Sequence, residues 1–559
     1  MTRRRTILAC AAAGLTVVGL AAQPAAARPV PTASVRLLAL NDFHGNLEPP
    51  SGSSGRAIDE NGDTVLAGGA AYIAAHLKQL RNRDTLTVAQ GDLVGASPLI
   101  SAAYHDEPSV QFLGDMGVTA SAVGNHEFDE GYQELLRLQN GGCHPVDGCS
   151  PAGPWRGAKF DYLGANVLLK QEDRPAIRPW TIRRVNGVRV GFIGIVTKTT
   201  PSIVTPEGVK DLRFDDEVAA ANRAARELKR RHVRAMVLLV HEGDQAKADE
   251  RPDECGIAPG AGSRIAQEAD PEIDMVLSGH THQQYLCSVK DPDGDSRLFA
   301  SGSSFGRVIT EVNLKVNRRT GDIVRSSVQA DNHVVTRDIA PDPATGAFVQ
   351  TWKDRVSAIA DKPIGKITAD LTRTPSAAGE TALGDVIADA QLAGTQDLGA
   401  QVALMNPGGV RTDLTYAASG SEGDGVVTYG EAFAVQPFNN VMGVTSLTGA
   451  QLDALLEQQW TSAGEKILQP SANLHFTIDR ANPVGDRVSA ITIGGAPVDP
   501  STTYKVAANN FLLGGGDGFT VFTEGTGQVL GAIDLDTFVT YFNAQGTITP
   551  PPLNRISGQ

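Results

Sequence analysis

The sequence predicts a chain of two α/β domains. Three observations support this prediction: the length, the alternation of short apolar runs with amphipathic segments, and a proline-rich turn near residue 341. With 559 residues the chain exceeds the usual size of one domain, so more than one hydrophobic core is expected. The apolar runs are only a few residues long and rich in β-branched side chains, which is typical of buried strands.

The first 27 residues have the pattern of a signal peptide. Basic Arg3, Arg4 and Arg5 precede an apolar stretch over residues 7–22, and small alanines at 25–27 form a cleavage pattern. The apolar stretch is short and interrupted by Gly and Thr, which argues against a membrane anchor. We therefore expect a secreted, extracellular protein that is exported by either the general or the twin-arginine route.

The first domain is predicted over residues 34–340. Buried strands are expected at residues 35–40, 85–89, 120–123, 190–196, 235–240 and 273–277. Amphipathic segments at residues 70–80 and 216–231 predict helices between them. Residues 298–316 have the pattern of antiparallel hairpins that close the same sheet system.

The boundary to the second domain is expected at a Pro-Asp-Pro turn that begins at residue 341. A helical pattern follows over residues 346–361, so residues 341–362 are predicted to form a linker helix. The second α/β domain is predicted over residues 363–555. Its pattern indicates helices at 383–392 and 449–458 and strands at 402–405 and 504–508.

Charge and cysteine content restrict the function classes. The chain has 49 basic and 63 acidic residues, a net charge of −14, and so lacks the basic character of a protein that binds polymeric nucleic acid. No later apolar run is long enough to span a bilayer. In an oxidising compartment, the cysteines beyond the signal indicate two disulfides. Short spacing favours Cys143 with Cys149, which leaves Cys255 with Cys287, although three pairings are open.

Candidate metal ligands directly follow five of the predicted strands. The motifs are Asn-Asp-Phe-His (41–44), Gln-Gly-Asp (90–92), Gly-Asn-His-Glu-Phe-Asp (124–129), His-Glu-Gly (241–243) and Ser-Gly-His-Thr-His (278–282). Ligands in α/β sheets gather beyond the carboxyl ends of strands, so these motifs are expected to converge on one site. Imidazole nitrogens mixed with carboxylate and amide oxygens suit two first-row divalent ions.

This set of motifs resembles the calcineurin-like metallophosphatases, and the second half narrows the resemblance to the secreted bacterial 5'-nucleotidase family. The resemblance covers nearly all of residues 34–550. It implies an N-terminal four-layer α/β/β/α metallophosphatase sandwich and a C-terminal α/β nucleotide-binding domain. It also implies two bound divalent metal ions, for which the donor set admits Zn, Mn, Co or Fe.

The resemblance also implies a role for each residue of the first domain's site. The expected metal ligands are Asp42, His44 and His282 for one ion, Asn125, His241 and His280 for the other, and Asp92 as the bridge between them. His126 is expected to stabilise the transition state near the leaving oxygen, with Asp129 orienting and charging its ring. An extra metal ligand is the alternative interpretation of His126.

Three segments of the second domain are expected to form the nucleoside pocket. The expected substrate-binding residues are Asn406, Arg411, Phe438, Asn440, Phe511 and Asp517. The resemblance implies that Phe438 and Phe511 sandwich the base and that Asp517 binds ribose hydroxyls; ordinary core packing is the alternative for the two rings. Residues 378–384 are not preceded by the arginine that some relatives carry there, so Arg373 is the candidate for a second cationic contact.

The implied activity is metal-dependent hydrolysis of nucleoside 5'-monophosphates to nucleoside and phosphate. The alternatives are a UDP-sugar hydrolase, a 2',3'-cyclic-nucleotide phosphodiesterase with 3'-nucleotidase activity, and a catalytically silent nucleotide-binding protein. The expected partner is a small nucleotide, not polymeric nucleic acid, and the oligomeric state is not predicted. Because chemistry and base recognition fall in different domains, we expect the domains to close about the linker helix.

Overall fold

The computed structural model describes residues 2, 31–204, 206–247, 250–438, 440–461 and 464–558. Apart from residue 2, the predicted signal peptide lies outside the described residues. Among the helices of the described part, none is both long and apolar enough to cross a bilayer.

Two six-stranded sheets form the N-terminal half. Their strands are β1 (Thr32–Leu40), β2 (Thr85–Ala89), β3 (Val118–Ala122), β4 (Asp161–Leu163), β5 (Trp180–Val185), β6 (Val188–Val196), β7 (Ala235–His241), β8 (Met275–Ser278), β9 (Gln284–Lys290), β10 (Ser296–Gly302), β11 (Val308–Asn317) and β12 (Gln329–Val334). The first sheet has the order β12-β11-β1-β2-β3-β4 and the second β9-β10-β8-β7-β6-β5. Because β1, β2 and β3 are parallel, as are β6, β7 and β8, their carboxyl ends gather at one edge of each sheet.

Helices cover the outer face of each sheet. They are α1 (Ala70–Leu80), α2 (Leu99–Ala102), α3 (Glu107–Asp115), α4 (Tyr132–Asn140), α5 (Pro206–Val209), α6 (Glu217–Arg230) and α7 (Ala261–Glu268). One core lies between the sheets and contains Leu37 of β1 and Val237 of β7. Two outer cores pack α1 against the first sheet and α6 and α7 against the second. The four-layer α/β/β/α sandwich implied by the family resemblance is therefore confirmed.

The antiparallel pairing predicted for residues 298–316 is present, but the two strands of this segment belong to different sheets. β10 pairs with β8 and β9 in the second sheet, whereas β11 pairs with β1 and β12 in the first. Residues 303–307 carry the chain between the sheets, with Ser303 and Phe305 at φ values of 61° and 56°. The alternation of apolar and polar residues within a segment does not specify which sheet a strand joins. The sequence therefore did not show that these two strands belong to different sheets.

The helix predicted over residues 346–361 is α8 (Pro343–Ala360), which begins earlier than expected. Asp342 caps it, because its carboxylate accepts the backbone N–H of Thr345 at 2.9 Å. Proline fits the first turn of a helix, so the Pro-Asp-Pro turn is the helix start itself. Trp352 and Val356 bury their side chains in the outer core of the first sheet.

The C-terminal half contains, among the described residues, three sheets of three to five strands and five α-helices. Its main strands are β13 (Pro363–Ile367), β14 (Val402–Met405), β15 (Val426–Thr428), β16 (Val441–Thr448), β17 (Gln469–Pro470), β18 (Leu474–Ile478), β19 (Val488–Ile493), β20 (Ala496–Pro497), β21 (Thr503–Asn509), β22 (Thr526–Ile533), β23 (Thr547–Ile548) and β24 (Ile556–Gly558). The helices are α9 (Ala382–Thr395), α10 (Tyr429–Val435), α11 (Gly449–Glu457), α12 (Asn510–Leu513) and α13 (Asp534–Gln545). The central sheet has the order β17-β14-β21-β16-β22, so the predicted second α/β unit is present.

Both predicted disulfides are confirmed. Cys143 bonds Cys149 within a surface loop, and Cys255 bonds Cys287 of β9. The second bond ties a long connection to the sheet that carries the predicted ligands His280 and His282 on the adjoining segment.

Gly194 of β6 allows the two sheets to approach each other. A Cβ at this position would lie 2.4 Å from the Cβ of Leu163 in β4. We expect Gly194→Ala to lower the free energy of unfolding by about 1–3 kcal/mol, because the added methyl group overpacks the interface. Chemical denaturation measures this. The matched control is Gly346→Ala in α8, where an added Cβ meets nothing within 4 Å. Unfolding midpoints of Gly194→Ala equal to those of the unsubstituted chain would contradict the prediction.

Candidate metal and substrate site

The predicted metal ligands meet where the carboxyl ends of the two sheets adjoin. Their ligand atoms form two groups, each within 4.8 Å: Asp42, His44, Asp92 and His282 in one, and Asp92, His241 and His280 in the other. Asp92 belongs to both groups, the position required of a bridging carboxylate. Asn125 joins the second group through its Oδ1, which lies 3.1 Å from His241 Nε2.

The spacing of the donor atoms suits shared metal ions. His44 Nε2 lies 3.1 Å from His282 Nε2, and His241 Nε2 lies 3.0 Å from an Asp92 oxygen. Two ligand atoms on a four-coordinate zinc ion are about 3.3 Å apart, given bonds of about 2.0 Å. Two imidazole nitrogens that face each other at this distance match a shared ion better than a direct hydrogen bond.

Backbone carbonyls set the tautomers of two of the histidines. His44 Nδ1 donates to the carbonyl of Gly95 at 2.8 Å, and His241 Nδ1 donates to the carbonyl of Gln90 at 2.8 Å. The Nε2 lone pairs are therefore free to face the cluster.

The ligand segments have unusual backbone conformations. Five of the ligands lie in the left-handed region, with φ values of 49° for Asp42, 45° for His44, 48° for Asp92, 75° for His280 and 59° for His282. Each such residue costs on the order of 1–3 kcal/mol, and such outliers cluster at functional sites. The strain is tolerated because the segments turn sharply directly after their strands.

The carboxylates of the cluster are buried, so a nearby positive charge is needed to stabilise their ionised forms. Asp42 and Asp92 are 0% and 1% exposed. Burial raises the pKa of Asp42 to about 7. Burial also disfavours the charge of Asp92, but His241 and His126 hold the pKa of this carboxyl well below its usual range. Two buried carboxylates among imidazoles are the donor set that a pair of divalent ions requires.

His126 and Asp129 form a hydrogen-bonded pair beside the cluster. His126 Nδ1 donates to Asp129 Oδ2 at 2.8 Å, and neither residue belongs to the two ligand groups. Burial disfavours the charged His126 ring, but the charges of Asp129 and Asp92 outweigh this and raise its pKa. The backbone N–H of His126 also donates to Asp92 Oδ1 at 2.9 Å, which links the pair to the ligands.

Glu127 is a positioning residue that the sequence analysis did not include. Its buried carboxylate accepts the backbone N–H groups of Asp92 at 2.9 Å, Leu93 at 2.8 Å and Gly124. It therefore joins the segments that follow β2 and β3. A clue was present in the sequence, since an acidic side chain inside the Gly-Asn-His-Glu-Phe-Asp motif needs buried donors.

We expect Glu127→Gln to weaken metal binding by about 10- to 100-fold, the usual effect of removing a partner of the ligands. A glutamine side chain turns an NH2 group toward backbone donors and so cannot accept all three bonds. Competition with a chelator measures the affinity. Glu207→Gln is the matched control, because Glu207 is exposed and pairs with Lys210 at the surface. Equal affinities of the two variants would contradict the positioning role.

Two substrate residues of the C-terminal half reach this centre. The Phe438 ring stacks on the His126 ring with centroids 5.7 Å apart and planes at 18°. The Arg411 guanidinium lies 5.6 Å from the centroid of the Phe438 ring. Burial lowers the pKa of Arg411, whereas the charges of Asp92 and Asp129 raise it. The guanidinium therefore interacts electrostatically with carboxylates of the candidate metal site.

A cleft of about 220 Å³ adjoins the cluster and contains two functional candidates that the sequence analysis missed, Phe305 and Arg307. Its lining residues are Ser54, His282, Ser304, Phe305, Arg307, Arg373 and Arg411. The Phe305 ring packs against His44 and His282 with centroid distances of 5.7 and 5.2 Å. Both candidates lie in residues 303–307, the segment that leaves the end of β10, so the strand-end rule that located the other motifs could have found this segment.

The remaining predicted substrate residues lie around the turn at residues 514–518. Asn406 Nδ2 donates to Asp517 Oδ2 at 2.9 Å, and a Cβ on Gly516 would lie 2.6 Å from the Phe511 ring. Asn440 instead donates to Asp534 at 3.2 Å. Among the described residues, no direct ring contact joins Phe438 to Phe511. Arg373 lines the cleft while pairing with Asp413 at 3.4 Å.

Comparison with known families identifies both halves of the chain. The sequence model of the calcineurin-like phosphoesterases matches residues 35–284, and that of the 5'-nucleotidase C-terminal domain matches residues 363–524. The cell wall protein Lmo0130 of Listeria monocytogenes is 33% identical over 95% of this chain and 70% of its own length.

Two further relatives extend the comparison. The endonuclease YhcR of Bacillus subtilis is 30% identical over 91% of this chain, which spans 39% of that longer protein. The crystal structure of a 5'-nucleotidase precursor from Thermus thermophilus superimposes with a TM-score of 0.76, at 26% identity, over 94% of this chain and 99% of that one. The arrangement of the two halves is therefore shared along nearly the whole chain.

Proposed function

Because the chain belongs to the 5'-nucleotidase family of calcineurin-like phosphoesterases, we propose that it hydrolyses nucleoside 5'-monophosphates to nucleoside and phosphate. The observation that carries the proposal is the approach of Arg411 and Phe438 to His126 beside the two ligand groups. The residues suited to phosphate chemistry in the N-terminal half thus lie beside residues suited to nucleotide binding in the C-terminal half. A protein that only captured nucleotides would not need the His126–Asp129 pair.

The ligand groups are proposed to hold two divalent ions, one at Asp42, His44 and His282 and one at Asn125, His241 and His280, with Asp92 shared. When bound, such a pair polarises a phosphate oxygen and lowers the pKa of a coordinated water. The mixed nitrogen and oxygen donors admit Zn, Mn, Co or Fe.

His126 is proposed to stabilise negative charge near the leaving oxygen. The charges of Asp129 and Asp92 raise the pKa of His126 and so favour its charged ring, and Asp129 holds the Nδ1 proton so that Nε2 faces away from the pair. The two residues act on the ester oxygen of the nucleoside, while the ligand groups face the phosphate.

Substrate recognition is proposed to come from both halves. Arg411 offers a planar guanidinium that binds phosphate oxygens in bidentate fashion, and Arg307 adds positive charge from the N-terminal half. Asn406 and Asp517 are proposed to bind ribose or base polar atoms, Asn440 to support that pocket, and Phe438 and Phe511 to stack on the base. Closure of the two domains about α8 brings these groups together.

We also propose that the protein is exported, with residues 1–27 as its signal. Two disulfides support an oxidising compartment. The name of the Listeria relative, a cell wall protein, agrees with this proposal.

Release of phosphate from AMP by the purified, metal-supplemented protein tests the proposal. A panel of AMP, a UDP-sugar, a 2',3'-cyclic nucleotide and single-stranded DNA separates the alternatives. We expect the highest kcat/KM for AMP and no cleavage of DNA, because the net charge of −14 opposes a polyanion. No phosphate release from AMP with Mn²⁺, Zn²⁺ or Co²⁺ would reject the proposal.

Phe511→Ala tests the stacking role. Loss of base stacking should lower kcat/KM for AMP by roughly 5- to 150-fold, which corresponds to about 1–3 kcal/mol. An aryl phosphate without a nucleobase serves as the internal control and should be turned over at an unchanged rate. Equal losses for both substrates would remove Phe511 from base recognition.

A further inference from the structure

A second group of potential metal ligands lies outside the dimetal centre. His105, Glu130 and His144 offer ligand atoms within 4.8 Å of one another. Asp147 joins them, because its Oδ2 lies 3.1 Å from His105 Nε2 and 3.2 Å from His144 Nδ1. None of these residues belongs to the two ligand groups described above.

Local structure holds this group in place. His144 and Asp147 lie in the loop that the Cys143–Cys149 disulfide closes, and His144 exchanges two backbone hydrogen bonds of 3.0 Å with Gly148. His105 lies two residues before the start of α3, and its ring stacks on that of His144 with centroids 3.7 Å apart. Three separate segments of the chain thus present their polar side chains to one point.

The two carboxylates that face the His105 ring require a positive charge on or beside it. Its Nδ1 lies 2.8 Å from Glu130 Oε2 and its Nε2 lies 3.1 Å from Asp147 Oδ2. A neutral imidazole has one N–H and so cannot donate to both carboxylates. A charge at this point is required, and either a ring proton or a bound metal ion supplies it.

We propose that His105, Glu130, His144 and Asp147 form a third metal site that takes a zinc-class divalent ion. Two imidazoles with two carboxylates suit zinc, whereas calcium and magnesium prefer all-oxygen sites. The Glu130 and Asp147 side chains are 46% and 64% exposed, so an ion has access from solvent.

The position of this third site connects it to the dimetal centre. Glu130 directly follows Asp129, whose carboxylate orients His126. His105 directly precedes Asp106, whose carboxylate accepts the N–H of Gly95 at 3.0 Å. The carbonyl of Gly95 in turn accepts the Nδ1 proton of His44. An ion at the third site would therefore tie together two loops that orient a metal ligand and the His126 ring.

Metal counting tests the proposal independently of phosphate release. The full chain is equilibrated with buffered free Zn²⁺ and its zinc content is measured by mass spectrometry. We expect three ions per chain for the unsubstituted protein and two for the double variant His105→Asn, His144→Ala. Asparagine is chosen because His105 has a φ of 48°, which Asn tolerates. His232→Asn, at a φ of 56°, is the matched control and should keep three.

Two zinc ions in the unsubstituted protein, or three in the double variant, would overturn the proposal. Retention of two ions and an unchanged circular dichroism spectrum show that the double variant is folded. If it does not fold, Glu130→Gln provides the same comparison. Anomalous scattering from a crystal soaked in Zn²⁺ gives a second readout. We expect an anomalous peak between His105 and His144, and the absence of this peak would reject the site. Ca²⁺ in place of Zn²⁺ should leave the third position empty.

Discussion

Asp92→Asn is expected to reduce the kcat for AMP hydrolysis by more than about 10³-fold, beyond the usual effect of losing one electrostatic contact. Asp92 is the only residue common to both ligand groups of the described site. Asparagine preserves the shape of the side chain but removes its charge and replaces one donor oxygen with an NH2 group. Both ligand groups therefore lose the negative charge that they share.

Measuring the zinc content together with kcat shows whether activity is lost because metal is lost. Loss of activity together with loss of bound metal is expected for Asp92→Asn. Asp115→Asn is the matched control, because Asp115 lies on the surface and pairs with Lys159. Full activity of Asp92→Asn would contradict the bridging role.

The second large effect is expected from His126→Ala. Removal of a positioned acid–base side chain costs roughly 10²–10⁴-fold in kcat. His126 lies outside both ligand groups, so the variant should keep its metal content while it loses turnover. Loss of metal from this variant would instead support the alternative in which His126 is an additional ligand.

A pH profile distinguishes the contribution of Asp129. In the proposed mechanism the charged form of His126 is the active one, so kcat should fall as pH rises through its pKa, which Asp129 and Asp92 hold above the ordinary value. Asp129→Asn removes one of these charges and lowers that pKa. The decline in kcat should therefore move to lower pH, and an unshifted profile would contradict the pairing.

The candidate metal ligands could be named from the sequence because they follow strands directly. Asp92 and His241, for example, sit at the ends of parallel strands, and that topology brings strand ends together whatever the length of the connections. The family resemblance assigned the individual roles, and the structure brings the assigned ligands into two groups.

Arg307 was missed, and Glu127 was left out of the expected site, for physical reasons. Arg307 lies between two strands of different sheets, and alternation within residues 298–316 does not reveal that the chain crosses from one sheet to the other there. Glu127 acts through backbone N–H groups of Asp92 and Leu93, and backbone partners leave no trace in side-chain patterns. The stacking of Phe438 on His126 depends on how the two halves dock, which no local motif encodes.

The pairing of β1 with β11 has a consequence for biosynthesis. Val35 of β1 pairs with Leu314 of β11. The first strand of the domain therefore pairs with a strand that the ribosome synthesises almost at the end of that domain. At about 5–20 residues per second, the ribosome needs on the order of 15–60 s to supply it. During that interval the apolar side chains of β1 have no completed sheet to join. The nascent chain is therefore exposed to aggregation through these side chains until β11 has been made.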